Sequence, residues 1–159
     1  MPFEQTPVSA ALDAKLKLLA ESHQRLLGEP LVGADVADAV ALRQALWLAP
    51  RVIVAHGTEV DPVFFYGNRL ALQLFEFEFS VFTRLPSRLS AEPQARSTRA
   101  HLMEKVAQQG FVTGYSGVRV SSSGRRFTIE NATVWNLLDE SGGLHGQAAT
   151  FPSWTPLET

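Results

Sequence analysis

Cysteine is absent from all 159 residues, which removes disulfides, thiolate nucleophiles, zinc–thiolate and iron–sulfur sites, and photochemistry that ends in a cysteinyl adduct. No window approaches the roughly 18 unbroken apolar residues of a membrane span. The opening Met1-Pro2-Phe3-Glu4-Gln5 has neither the basic nor the apolar part of a secretory signal, so a cytoplasmic protein is expected. Also missing are a nucleophile elbow, a phosphate-binding glycine loop and a paired His/carboxylate metal motif. The histidines, His23, His56, His101 and His145, form no i, i+4 pair, and no metal site is expected.

Basic residues are missing from 127–159, which hold four acidic side chains, while 84–126 hold eight basic and two acidic ones and 1–83 hold six and ten. The positive centre reads as an anion or nucleic-acid surface, or as a solvated helix face with a charged hairpin tip at Arg125 and Arg126. Without interleaved aromatics or helix-turn-helix spacing, direct nucleic-acid binding is not expected.

What is present suffices for one domain spanning 1–159, with an N-terminal helical element over 8–49 and a core over 50–154. Leu12, Leu16, Leu19, His23 and Leu26 draw an apolar stripe on a helix over 8–27, stopped by Gly28-Glu29-Pro30. Asp35 is the expected cap of a second helix carrying Val36, Val40, Leu42, Leu46 and Trp47 up to Pro50. Val52-Ile53-Val54 and Val63-Phe64-Phe65-Tyr66 flank a turn and predict a hairpin. Asn68 caps a helix with Leu70, Leu74, Phe77 and Val81 on one face, and a further helix carries Ala95, Arg99, Leu102 and Val106 to Gly110. The last third holds three strands separated only by turn signals, an antiparallel meander.

That order, two strands, helices and a three-stranded meander, predicts an α+β fold: a PAS-like five-stranded antiparallel sheet with helices on one face and an N-terminal helical extension. The residues that carry a family likeness are Phe65-Tyr66-Gly67-Asn68, Leu85-Pro86-Ser87-Arg88-Leu89-Ser90, Tyr115-Ser116-Gly117-Val118-Arg119, Gly124-Arg125-Arg126-Phe127, Val134-Trp135-Asn136-Leu137 and Gly146-Gln147-Ala148-Ala149. Over about 52–154 the chain resembles the MEKHLA family, a PAS-like group, in the manner of a small stand-alone bacterial member. The resemblance implies a sensory or regulatory role and no catalytic residues. It leaves haem, through a helical His101 just before the meander, or a non-covalent flavin as open cofactors.

In the long strand 126–138, strict alternation puts Phe127, Ile129, Asn131, Thr133, Trp135 and Leu137 on one face, expected to meet the helices. Polar groups on that face, with Tyr115, Arg119 and Gln147 on neighbouring strands, predict a cavity lined by Tyr66, Asn68, Tyr115, Arg119, Asn131, Trp135 and Gln147, or an internally satisfied polar network. Arg119, if inward, requires an acid from the protein or from a ligand, with Arg88 and Arg96 as further candidates for an anion site. The expected function is binding of a small molecule, coupled to repacking against the N-terminal helices and signalling to a partner or dimer. The alternatives are an interaction module, dimerising through Leu12, Leu16 and Leu19 and the outer sheet face, and an enzyme using Tyr66, His56, Asp61 or Glu76 for acid–base work.

Overall fold

The computed structural model describes residues 6–91 and 93–157, with side chains described outside 93–99 and 103. Ser9 opens α1 (Ala10–Leu27) by accepting from the Leu12 amide, and Gly28, in left-handed backbone at φ +78, closes it on the Gln24 carbonyl. Leu12, Leu16, Leu19 and His23 are buried, as their spacing predicts. The cap of α2 (Ala39–Leu48) is Asp38, not Asp35. Asp35 instead accepts from the Ala37 amide, a local turn that competes with helix. Arg43 ties α2 to α1 through a two-pronged ion pair with Asp13 at 3.0 and 2.8 Å.

β1 (Val52–His56) and β2 (Phe64–Gly67) form the expected antiparallel pair. His56 is the buried last residue of β1. The helix expected through Val81 divides into α3 (Arg69–Phe75) and the single turn α4 (Phe79–Phe82). The break falls at Glu76, at φ +63, whose carboxylate accepts from the Ser121 and Ser123 hydroxyls. A side chain held by a distant loop thus ends the helix where periodicity alone would continue it, and Val81 turns outward. A 3₁₀ turn (Ser87–Ser90) leads to α5 (Pro93–Gln109), which buries Leu102 and Val106.

The meander follows as β3 (Phe111–Val120), β4 (Arg126–Leu138) and β5 (Leu144–Phe151), with a short β6 (Ser153–Pro156). Sheet order is β2-β1-β5-β4-β3, all neighbours antiparallel. β5 pairs with residues 133–138 of β4, and β6 with 127–130. The middle of the five sheet positions is therefore one line of chain, β5 then β6, broken at Pro152, which has no N–H to donate.

Both faces of the sheet are covered. On one, α1 and α2 bring Leu16, Leu19, Leu42 and Leu46 against Ile53, Trp135 and Leu137. On the other, Leu72, Phe75 and Phe82 meet Val54, Phe127, Ile129 and Phe151, with Leu102 and Val106 on Val134. β1 is accordingly buried at all five positions. Leu12, Leu16 and Leu19, expected to be free to pair two copies, pack on the chain's own sheet instead, and the outer sheet face is not open.

Strict alternation along β4 is also overturned. Asn131 adopts φ +53, and pairing passes from Tyr115↔Ala132 to Gly117↔Ile129, so β4 carries one extra residue. This bulge reverses the facing of everything beyond it. Phe127 and Ile129 point to the inner face, Trp135 and Leu137 to the outer, and Asn131 is exposed.

Candidate functional site

Between the inner sheet face and the layer of α3, the 3₁₀ turn and α5 lies a cavity of about 60 Å³. Its walls are mostly apolar: Val54, Phe64, Phe75, Leu102, Ile129, Val134, Ala149 and Phe151. Into them project Tyr115 and Arg119 from β3, His56 from β1, Gln147 from β5 and Ser90 from the 3₁₀ turn.

Tyr115, Gly117 and Arg119 share one face of β3. A Cβ on Gly117 would lie 2.6 Å from the Tyr115 hydroxyl and 3.1 Å from Arg119 Nη1, so the bare glycine leaves the space in which the pair lies together. Arg119 is 7% exposed. It donates to the Val118 carbonyl at 2.8 Å and, weakly, to the Tyr115 oxygen at 3.4 Å, with its cation 5.7 Å from the Tyr115 ring centroid. Among the described residues no carboxylate lies within ion-pairing distance of it.

His56 and Gln147 oppose each other on neighbouring strands. His56 Nδ1 lies 2.9 Å from the Gly57 carbonyl, a contact that requires the proton on Nδ1. Gln147 Nε2 donates to Asn136 Oδ1 at 3.0 Å, and Asn136 Nδ2 to the Val106 carbonyl at 3.1 Å, linking β5 through β4 to α5. The close approach of β5 to β1 depends on Gly146, at φ +143, where a Cβ would lie 2.0 Å from the His56 carbonyl oxygen.

Of the expected lining, the structure brings together Tyr115, Arg119 and Gln147. Tyr66 is buried beside Phe79, outside the lining, and its hydroxyl has no hydrogen-bond partner among the described residues. Burial pushes that phenol well above its usual range. Asn68 is a structural tie: its Oδ1 accepts from the Ile53 and Ala71 amides and its Nδ2 donates to the Leu46 and Arg51 carbonyls. Asn131 is exposed in its bulge. Trp135 lies on the opposite face, donating from Nε1 to the Leu19 carbonyl of α1 at 3.2 Å.

Arg88 is a surface residue, half exposed and paired with Asp61. The Arg96 side chain lies outside those described. His101 is on the exposed side of α5 beside Glu104, away from the cavity, so a haem ligand there is not supported. Tyr66, His56, Asp61 and Glu76, weighed for acid–base work, do not converge: of the four, His56 alone lines the cavity. Sequence reasoning missed Phe75, Ser90 and Leu102, whose signal was apolar or small character with no chemistry to mark it.

A family model described as the MEKHLA domain matches residues 13–156. The homeobox-leucine zipper protein ATHB-9 of Arabidopsis thaliana is 27% identical over 95% of this chain and 18% of its own length. HOX10, a homeobox-leucine zipper protein of Oryza sativa subsp. indica, is 28% identical over 86% of this chain and 16% of its own length. The chain thus spans under a fifth of these curated relatives, which are plant proteins and do not bear on a bacterial origin. Among solved structures, a PAS domain from Colwellia psychrerythraea superposes with TM-score 0.62 at 15% identity, covering 77% of this chain and 98% of that one. A structure described as "Flavin Analogue Sheds Light on Light-Oxygen-Voltage Domain Mechanism" gives 0.58 at 17%, covering 74% and 84%. These likenesses establish a PAS-like fold.

Proposed function

The chain belongs to the MEKHLA domain family, and from that premise we propose that it is a sensory or regulatory PAS-like module whose inner cavity takes a small molecule and whose N-terminal helices pass the change to a partner. The observation that carries this reading is the convergence of Tyr115, Arg119, His56 and Gln147 on a mostly apolar cavity.

The sheet supplies the coupling. Val134 lines the cavity, and the next residue, Trp135, holds the Leu19 carbonyl of α1 on the other face. Three residues on, the Leu138 amide donates to Ser22 Oγ at 2.9 Å and Ser22 donates back to the Leu138 carbonyl at 3.0 Å. A shift of β4 on occupation changes the seat of α1, and a ligand that prefers one seat shifts the population toward it.

A flavin, raised by the light-oxygen-voltage similarity, does not fit these residues: about 60 Å³ falls far below the roughly 300 Å³ at which pockets for drug-sized ligands begin. The sequence also has no cysteine for an adduct. Assembly through Leu12, Leu16 and Leu19 is no part of the proposal, since α1 buries them within the chain.

The test combines native mass spectrometry of freshly purified protein with amide hydrogen exchange. The expected result is an added small-molecule mass, with faster exchange across α1 when that molecule is removed. A bare native mass, and α1 exchange that no member of a metabolite panel alters, overturn the sensor reading in favour of an interaction module.

A further inference from the structure

The cavity holds a cation and no described counter-charge. A guanidinium carries a full positive charge, and such a group buried among apolar side chains is costly unless it is paired. Its partners, the Val118 carbonyl and the Tyr115 oxygen, supply partial charge only. The described cavity lining contains no aspartate or glutamate. The guanidinium keeps further donors in a planar fork, whose geometry matches the two oxygens of a carboxylate.

The rest of the cavity sets the other end of the occupant. Phe64, Phe75, Ile129 and Phe151 are apolar and offer nothing to an inorganic oxyanion. On the measure by which one water takes about 10–15 Å³ of cavity, about 60 Å³ admits about four to six water-sized groups, the size of a three- or four-carbon acid. A nucleotide, an aromatic acid or a long acyl chain exceeds it.

On the reading that the cavity is a ligand site, we propose that its ligand is a short-chain monocarboxylate, with the carboxylate on Arg119 and the alkyl end among the phenylalanines. Tyr115 positions the guanidinium, and Gly117 provides the room that this pair needs.

Calorimetric titration of the full chain with propionate and butyrate, with their amides and with inorganic phosphate tests this. The acids are expected to bind saturably and the amides and phosphate at least about tenfold more weakly, with Arg119→Gln costing about 10- to 100-fold in acid affinity. Should Arg119→Gln fail to fold, Gly117→Ala serves. Its methyl displaces the Tyr115–Arg119 pair without demanding unusual backbone, and it is expected to weaken the acids and spare the amides. Amides that bind as well as the acids, or phosphate that binds better, overturn the carboxylate assignment while the cavity stands as a binding site. No saturable binding of the acids to folded protein also overturns it. The native mass and α1 exchange then separate the two readings, because a bound neutral or larger molecule keeps the sensor proposal, and a bare chain whose α1 exchange no metabolite alters removes it as well.

Discussion

Single side chains divide here between those that hold the fold and those that face the cavity, and residue type did not sort them. Asn68 looked like a ligand contact because it is polar in an apolar neighbourhood. It is fully buried because four backbone groups from three segments saturate its amide. His23 sat in an apolar stripe, and it is buried edge-on against Trp135, with Nδ1 2.9 Å from the Glu29 carbonyl. Burial holds its imidazole below the ordinary 6.5. A folded-state value below the unfolded one means that the unfolded chain binds the extra proton first. The stability from neutral His23 is therefore fully present above pH 6.5 and is lost as pH falls from there toward the lowered folded value. Urea midpoints measured between neutral pH and pH 5.5 (about one unit below the unfolded His value) should fall for the native chain and fall less for His23→Gln. Equal slopes in the two proteins would mean that His23 has no part in the pH response.

At the level of elements, two departures from a local period decide the layout. Glu76 ends α3 because Ser121 and Ser123 hold its carboxylate. Asn131 takes up one residue in β4 and sends Trp135 to the opposite face from Ile129. Asparagine tolerates the left-handed backbone that this bulge needs, which is the one hint that the sequence offers. Gly146 does the same work for β5 against β1. Gly146→Ala adds a methyl at φ +143 that meets the His56 carbonyl and should destabilise by at least about 2 kcal/mol in equilibrium urea unfolding. Gly33→Ala, with nothing within 4 Å of the new methyl, is the control and should stay within about 0.5 kcal/mol of the parent. Equal midpoints for the two variants would show that the β1–β5 approach can open without cost.

The whole molecule is a sheet between two helical layers, and the outer layer is part of the core rather than an appendage. Leu12, Leu16 and Leu19 are each at most 9% exposed, and burying such side chains contributes about 1.5–3 kcal/mol apiece. Their sum is comparable with the whole stability of a domain, about 5–15 kcal/mol. A chain lacking residues 1–28 uncovers Trp135, Leu137 and Ile53. It should lose its cooperative thermal transition and bind a hydrophobic dye at room temperature. A truncated chain that melts sharply and stays dye-free would mean that the outer face does not need α1. No helix among the described residues is long and apolar enough to cross a membrane.

The element order as far as β5, the antiparallel meander, the caps at Asn68 and Gly28 and the shared face of Tyr115 and Arg119 were legible in the sequence, while the inward turn of that face was not. They depend on neighbours within a few residues or on short alternating runs, where propensity and period act directly. Tertiary structure decided which face each half of β4 presents, that α1 and α2 close the outer face, and that His56, Phe75, Ser90 and Leu102 meet around one cavity. Those outcomes turn on a one-residue bulge and on contacts between segments far apart in the chain. No local pattern encodes them, because the free energy that selects them is realised only when both partners are packed.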